Sequence, residues 1–361
     1  MSRQFRKTWL EINLSNIHQN LLKMKEHVYP KKIIPVIKAD AYGHGAKMVA
    51  QYLIEWGEVD FFAVSLLEEA LELRDLNPDI DILVMGVVDE FALPTLSEKN
   101  ITFTVSQEQL YKKVLDSGLP LKFHLKYDSG MNRLGFKSPT KIRKIADDAM
   151  THDHLNLTGI YTHLATADSD EDYVKMQAKR FKQIVKSLLI RPKMVHISNT
   201  PGLLRYENLF DFTTHARAGI GLFGDTVGYD GIKLKSTFIL KSRISEIKEL
   251  SPGEKLGYNL TYEAKEQEKI AILPIGYADG LIRKNQGGHV STLGRRYEIV
   301  GRICMDQTFV KVDDYVRLGD TVTVMGDDIV SVKDVADRLD TITYEIFTQI
   351  SNRVHRIYYD D

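Results

Sequence analysis

"PVIKADAYGHG", residues 35–45, sets a lysine at the end of an apolar run and follows it, within seven residues, by a tyrosine and a Gly-His-Gly turn. Around Lys38 the run KIIPVIKA reads as a short buried strand, because apolar side chains crowd between charges. AYGHGAKMVAQYLIEWG then places apolar residues at helical spacing. Lys38 is therefore expected at the carboxyl end of a strand, which is where open and closed α/β sheets bind ligands. A solvated lysine at a strand exit is the commoner case, and these residues alone leave both readings open.

Outward from this stretch, short β-rich runs alternate with helical ones through residue 230. The runs are KIIPVIKA, FFAVS, DILVMG, ITFTVS, LKFHLKYDSG, NLTGIYTHLA, MVHISNT and HARAGIGLFG. Segments such as EEALELRDLN, QEQLYKKVLDSG, EDYVKMQAKRFKQIVKSLL and GLLRYENLF lie between them with apolar spacing that suits helices. A βα unit repeated through eight strands closes most naturally as a barrel. After residue 230 the alternation stops. TFILKSRISEIKEL, KIAILPIGYADG, RRYEIVGRICMDQTFVKV and DTVTVMG follow one another with glycine-bearing turns, and helices return only at VSVKDVADRLD and TYEIFTQI. The expected fold class is α/β: a (β/α)8 TIM-type barrel over residues 1–230, then a mainly β domain over 231–361. The first few residues are left free to pack with the second domain.

The chain has 361 residues, 43% of them hydrophobic and 27% charged, which is ordinary for a globular protein with a large core. A formal charge of -1 provides no general field for nucleic acid or an anionic membrane, so a charged ligand must be held by local groups. A small-molecule partner is expected. No apolar stretch suits a signal peptide or a spanning helix, and a cytoplasmic location is expected. The one cysteine, Cys304, permits no internal disulfide and no cysteine-built metal site; it reads as a small buried apolar residue.

The polar residues then fall at strand ends. Lys38 ends the first strand, Arg133 follows the fifth in KYDSGMNRLGF, and His163 ends the sixth in GIYTHLATAD. His196 and Thr200 end the seventh in VHISNTPG, and Arg217 with Gly219 lies in the eighth, HARAGIGLFG. Each has a plain structural explanation by itself: a surface ion pair for Arg133, a satisfied core histidine for His163 or His196, a turn for Gly219. All of them at carboxyl ends would converge on one barrel face.

With VIKADAYGHG, KYDSGMNRLGF, YTHLATAD, ARAGIGLFG, LGYNLTY, PIGYADG and GRICMDQ in hand, the sequence resembles the alanine racemases, over essentially the whole chain. That resemblance implies a pyridoxal 5'-phosphate enzyme interconverting L- and D-alanine through a two-base mechanism, supplying D-alanine for peptidoglycan. It implies Lys38 as the Schiff-base lysine and one acid/base. The amine must be neutral to attack an aldehyde, and a lysine shifts its pKa readily when desolvated or set beside other cations. It also implies Tyr42, Asn199, Thr200, Gly219 and Ile220 around the cofactor, the last two through backbone amides.

Racemisation needs a second base on the opposite face of a planar intermediate. The resemblance assigns it to Tyr258, whose free phenol has a pKa of about 10 and needs help, supplied by His163 linked to Arg217 and His196. Arg217 is further implied to face the pyridine nitrogen and keep it unprotonated, which weakens the electron sink and argues against decarboxylation. Arg133 and the Met305 amide are implied on the substrate side, Lys126 as a carbamylated lysine bracing Arg133, and Asp168, Tyr277, Arg283 and Arg302 at the entrance. Asn352 stands where the best-studied relatives carry an aromatic ring. A homodimer with shared sites is implied, Tyr258 and Met305 completing the partner's site.

Three alternatives stand beside this reading: a serine or broad-range racemase, a decarboxylase of the same two-domain plan, opposed by Arg217, and a pyridoxal-phosphate homeostasis protein. The last would lack both the β domain and Tyr258.

Overall fold

A computed structural model describes residues 6–360. They divide into two compact units, one of residues 17–41 and 46–235, the other of 6–16, 42–45 and 236–360.

In the first unit eight short parallel strands alternate with helices. Counting Thr8–Asn13 as β1, they are β2 (Lys32–Pro35), β3 (Phe61–Val64), β4 (Asp81–Val84), β5 (Thr102–Val105), β6 (Leu121–Lys126), β7 (Leu155–Tyr161), β8 (Met194–His196) and β9 (His215–Ala218). Their order is β2-β9-β8-β7-β6-β5-β4-β3. A parallel bridge from Val36, just past β2, to Ala63 of β3 brings the two ends of the sheet together, leaving a nearly closed barrel. Every run expected as a strand is one. Several are apolar on both faces, as in FFAV and DILV, because one face fills the barrel and the other packs under helices. Gly219 lies one residue beyond the last strand rather than inside it.

The second unit is built on a nine-stranded sheet. Its order is Glu246–Leu250, Glu268–Leu273, Thr308–Val312, Arg295–Val300, His289–Thr292, Thr321–Met325, Phe238–Arg243, β1 and His355–Tyr359. Neighbours are antiparallel except β1 with His355–Tyr359, which run parallel. The two late helices are Val332–Leu339 and Thr343–Gln349. Among the described residues no helix is long and apolar enough to cross a membrane. Cys304 is half-buried rather than buried: its Sγ approaches the Arg302 carbonyl at 3.6 Å near the surface of this unit.

Candidate active site

The opening stretch does not enter its helix directly. From Ala39 to Tyr42, four consecutive residues other than glycine hold φ between 52° and 54°, a left-handed turn, and the right-handed helix begins only at Ala46. Left-handed backbone costs roughly 1–2 kcal/mol for each such residue, so the turn is held from outside. Asp40 Oδ1 accepts the Ala46 N–H at 2.7 Å, and Glu69 Oε1 accepts the Ala39 N–H at 2.6 Å. The two glycines that follow also serve close approach. A Cβ on Gly43 would lie 2.4 Å from the Phe347 carbonyl oxygen, and one on Gly45 1.9 Å from the Tyr358 hydroxyl. His44 between them is buried, with Nε2 3.0 Å from Thr237 Oγ1.

Lys38 is half-buried at the carboxyl end of β2. Burial, and then Arg133, hold its amine below the usual lysine range, while Glu69 pulls the other way. Lys126, at the end of β6, is buried. Burial, then Arg133 and Arg217, push its amine down to about 8 against the attraction of Asp128. Its Nζ lies 5.2 Å from the centre of the Tyr161 ring.

Arg217, 2% exposed in β9, organises the rest. Nη1 donates to His196 Nδ1 at 2.6 Å; Nη2 reaches His163 Nδ1 at 3.1 Å and the carbonyls of Thr162 and Ile197 at 2.9 and 3.0 Å. Burial and then the Arg217 charge keep both His163 and His196 well below the ordinary histidine value, so both are neutral at pH 7. His196 stacks on Tyr161 at 4.8 Å and passes the chain on to His124, whose Nδ1 is 3.1 Å from His196 Nε2.

Thr200 opens the short helix Thr200–Arg205, capped by Asn199, whose Oδ1 accepts the Gly202 N–H at 3.1 Å. Thr200 Oγ1 accepts the amides of Gly219 and Gly221 at 3.1 and 3.2 Å. A hydroxyl oxygen has two acceptor sites. With both taken, Thr200 has its proton left to give, which suits an anionic oxygen. The Gly219 amide is thus engaged by Thr200.

The first unit therefore gathers Lys38, Lys126, His163, His196 and Arg217 at the carboxyl ends of β2 and β6–β9, with the exposed Arg133 acting on several of them. Asp168 is exposed in the loop after β7. The second unit carries the other expected residues. Tyr258 opens a turn at Tyr258–Leu260 and is 64% exposed; it lines a cavity of about 590 Å³ with Tyr277, Ile282, Arg283 and Ile303. Met305 is exposed as well, and Tyr42 is buried in the same unit.

Two residues not singled out from the sequence belong to the barrel site. His124 alternates with Lys126 along LKFHLK, and a period of two puts both on one face of the strand. That alternation was the available signal for it. Glu69 had none, since it reads as one more charge on an exposed helix.

A cluster of cations with a depressed lysine amine lies at the strand ends of a barrel whose chain continues into a β domain, the arrangement of a barrel enzyme suited to an anionic ligand. The comparisons with known proteins make that class specific. Residues 12–227 match the model of the alanine racemase N-terminal domain and residues 237–358 that of the C-terminal domain, so the chain belongs to the alanine racemase family. An alanine racemase of Geobacillus kaustophilus is 38% identical, with 99% of this chain and 96% of the relative aligned. The crystal structure of alanine racemase from E. faecalis superposes with a TM-score of 0.94 at 34% identity, covering 98% of each chain. A histidine racemase from Leuconostoc mesenteroides superposes with a TM-score of 0.91 at 30% identity, covering 99% of each chain.

Proposed function

We propose that this chain interconverts L- and D-alanine with pyridoxal phosphate held on Lys38, supplying D-alanine for peptidoglycan in the cytoplasm. The observation that carries the reading is Lys38 itself: a half-buried amine, depressed by burial and Arg133, at a barrel strand end in a chain of this family. The residues fit the cofactor. Lys38 can present a neutral amine, the Thr200 hydroxyl has a proton to give an anionic oxygen, and the surplus of cations calls for an anion. When bound, pyridoxal phosphate supplies an aldehyde for the amino group and an electron sink for the charge left when the α-proton departs. Tyr42, Asn199, Thr200, Gly219 and Ile220 are the residues assigned to hold it.

On this reading Lys38 takes or returns the α-proton on one face and Tyr258 on the other. Arg217 has only donors, so His163 Nδ1 must accept and the histidine carries its proton on Nε2. A neutral imidazole N–H of that kind stabilises a phenolate, the help Tyr258 requires. Arg133 and Met305 are assigned to the substrate, and Asp168, Tyr277, Arg283 and Arg302 to its entrance. Lys126 is read as a carbamate: its amine, down at about 8, is partly neutral near physiological pH, and the resulting anion would relieve the repulsion among Lys38, Arg133 and Arg217. We place Tyr258 and Met305 in the site of a second copy. The support is that both are exposed, at 64% and 52%, and so accessible to a second copy, and that Tyr258 lines a cavity with Tyr277, Ile282 and Ile303.

The test is chiral chromatography of purified protein given L-alanine, L-serine and L-histidine separately. D-alanine should form fastest. A product from L-histidine or L-serine alone would contradict the assignment.

A further inference from the structure

The Glu69 carboxylate reaches two strand ends at once. Oε2 accepts the N–H groups of Ser65 and Leu66, at 2.8 and 3.0 Å, in the loop after β3. Oε1 accepts the N–H of Ala39, the residue after Lys38, at 2.6 Å. Glu69 is the third residue of the helix Leu67–Leu76, and a glutamate there ordinarily reaches back to the N-cap amide. The Leu66 bond is that ordinary one. The Ala39 bond is not: nothing in the opening of the helix requires it.

Ala39 begins the left-handed run, where strained backbone persists only if its surroundings hold it. Glu69 is also the anion that acts on Lys38, opposite Arg133. Lys126 and His163 complete the groups coupled to that amine. We propose that Glu69 is a positioning residue for Lys38: its carboxylate ties the left-handed turn behind the lysine to the loop after β3 and supplies the negative charge that offsets the surrounding cations. This rests on Lys38 being the reactive amine, and it adds a residue whose effect is exerted entirely through that lysine.

Charge and tether separate by substitution. Glu69→Gln removes the charge, and its amide offers one acceptor oxygen where the carboxylate offers two. Glu69→Asp keeps the charge but is one methylene too short to span both loops. Two readouts apply to the full-length chain freed of cofactor: competitive acetylation of Lys38 across pH, followed by mass spectrometry, and amide hydrogen exchange of the segment 35–45. The acetylation midpoint should fall in Glu69→Gln and stay near wild type in Glu69→Asp. Exchange at Ala39 should accelerate roughly tenfold in both, the loss of one charge-assisted hydrogen bond. Glu68→Gln, on the exposed side of the same helix, should change neither.

An unmoved midpoint in Glu69→Gln, or unaltered exchange in both variants, overturns the proposal. If Glu69→Gln does not fold, Glu69→Asp decides alone: fast exchange with the midpoint held supports the tether, and unaltered exchange overturns it. Borohydride reduction of the cofactor-loaded wild type reports separately on whether Lys38 carries the cofactor. A failure there leaves the acetylation and exchange results to judge Glu69 by themselves.

Discussion

Arg217 Nη1 lies 2.6 Å from His196 Nδ1, and this contact fixes the direction of every hydrogen bond along the buried histidines. A guanidinium only donates. His196 must therefore accept at Nδ1 and carry its proton on Nε2, which gives it to His124 Nδ1 at 3.1 Å. His124 in turn carries its proton on Nε2, which is buried and has no partner among the described residues. On the other side the same guanidinium fixes His163 in the same tautomer. Nitrogen-15 NMR of labelled histidine should show His163, His196 and His124 neutral and protonated at Nε2 at pH 7. An imidazolium signal from any of them at that pH would contradict this polarity.

The same burial makes the barrel sensitive to acid. Burial, then His215 and Arg217, push the His124 pKa down to about 3, and His215 falls to about 4 by burial and Lys32. Between those values and the ordinary 6.5 the unfolded chain binds protons that the folded chain does not. Stability is thus complete above about pH 6.5 and is lost as pH falls through the folded values. One such group contributes at most roughly 1.4 kcal/mol per pH unit in that window. Urea denaturation from pH 6.5 to 4 should show the decline, and His124→Gln should flatten it. A slope unaffected by the substitution would remove His124 from the account.

Lys126 offers a chemical test. With its amine down at about 8, it can attack carbon dioxide, forming an N–C bond and releasing a proton. Protein equilibrated with carbon-13 bicarbonate should give a carbamate carbon resonance that Lys126→Met lacks. No such resonance in the wild type would leave Lys126 an unmodified amine.

The proposed sharing of sites in a two-fold dimer predicts complementation. Lys38→Ala and Tyr258→Ala are each expected to be inactive. Random subunit exchange between equal amounts should restore roughly a quarter of all sites, since half the dimers are mixed and each holds one intact site. A mixture that stays inactive despite proven exchange would show that both residues serve from one chain.

How far the sequence revealed this architecture depended on the range of the interactions. Strands such as FFAV and DILV were legible because both faces are buried and the apolar run is local. β1 was not, because TWLEIN is paired on both sides only through Phe238–Arg243 and His355–Tyr359, which are distant in sequence. His289–Thr292, HVST, is short and polar enough to pass for a turn. The left-handed turn at ADAY was not legible either, since it contains no glycine to announce that hand. Family motifs pointed to Lys38, His163, Arg217 and Tyr258, whereas the Glu69 carboxylate meets backbone amides of two separate loops and leaves no pattern in the chain.

The assignment of Lys38 has a rival within the barrel, and that makes its test decisive. Lys126 also carries a depressed amine in the same cluster of cations, and its amine is the more deeply buried. Protein loaded with pyridoxal phosphate should absorb visible light, and borohydride should fix the cofactor irreversibly to one peptide, identified by mass spectrometry. The peptide containing Lys38 is the expected site. Attachment at Lys126 or any other lysine, or a colourless protein that takes up no pyridoxal phosphate, would contradict the account.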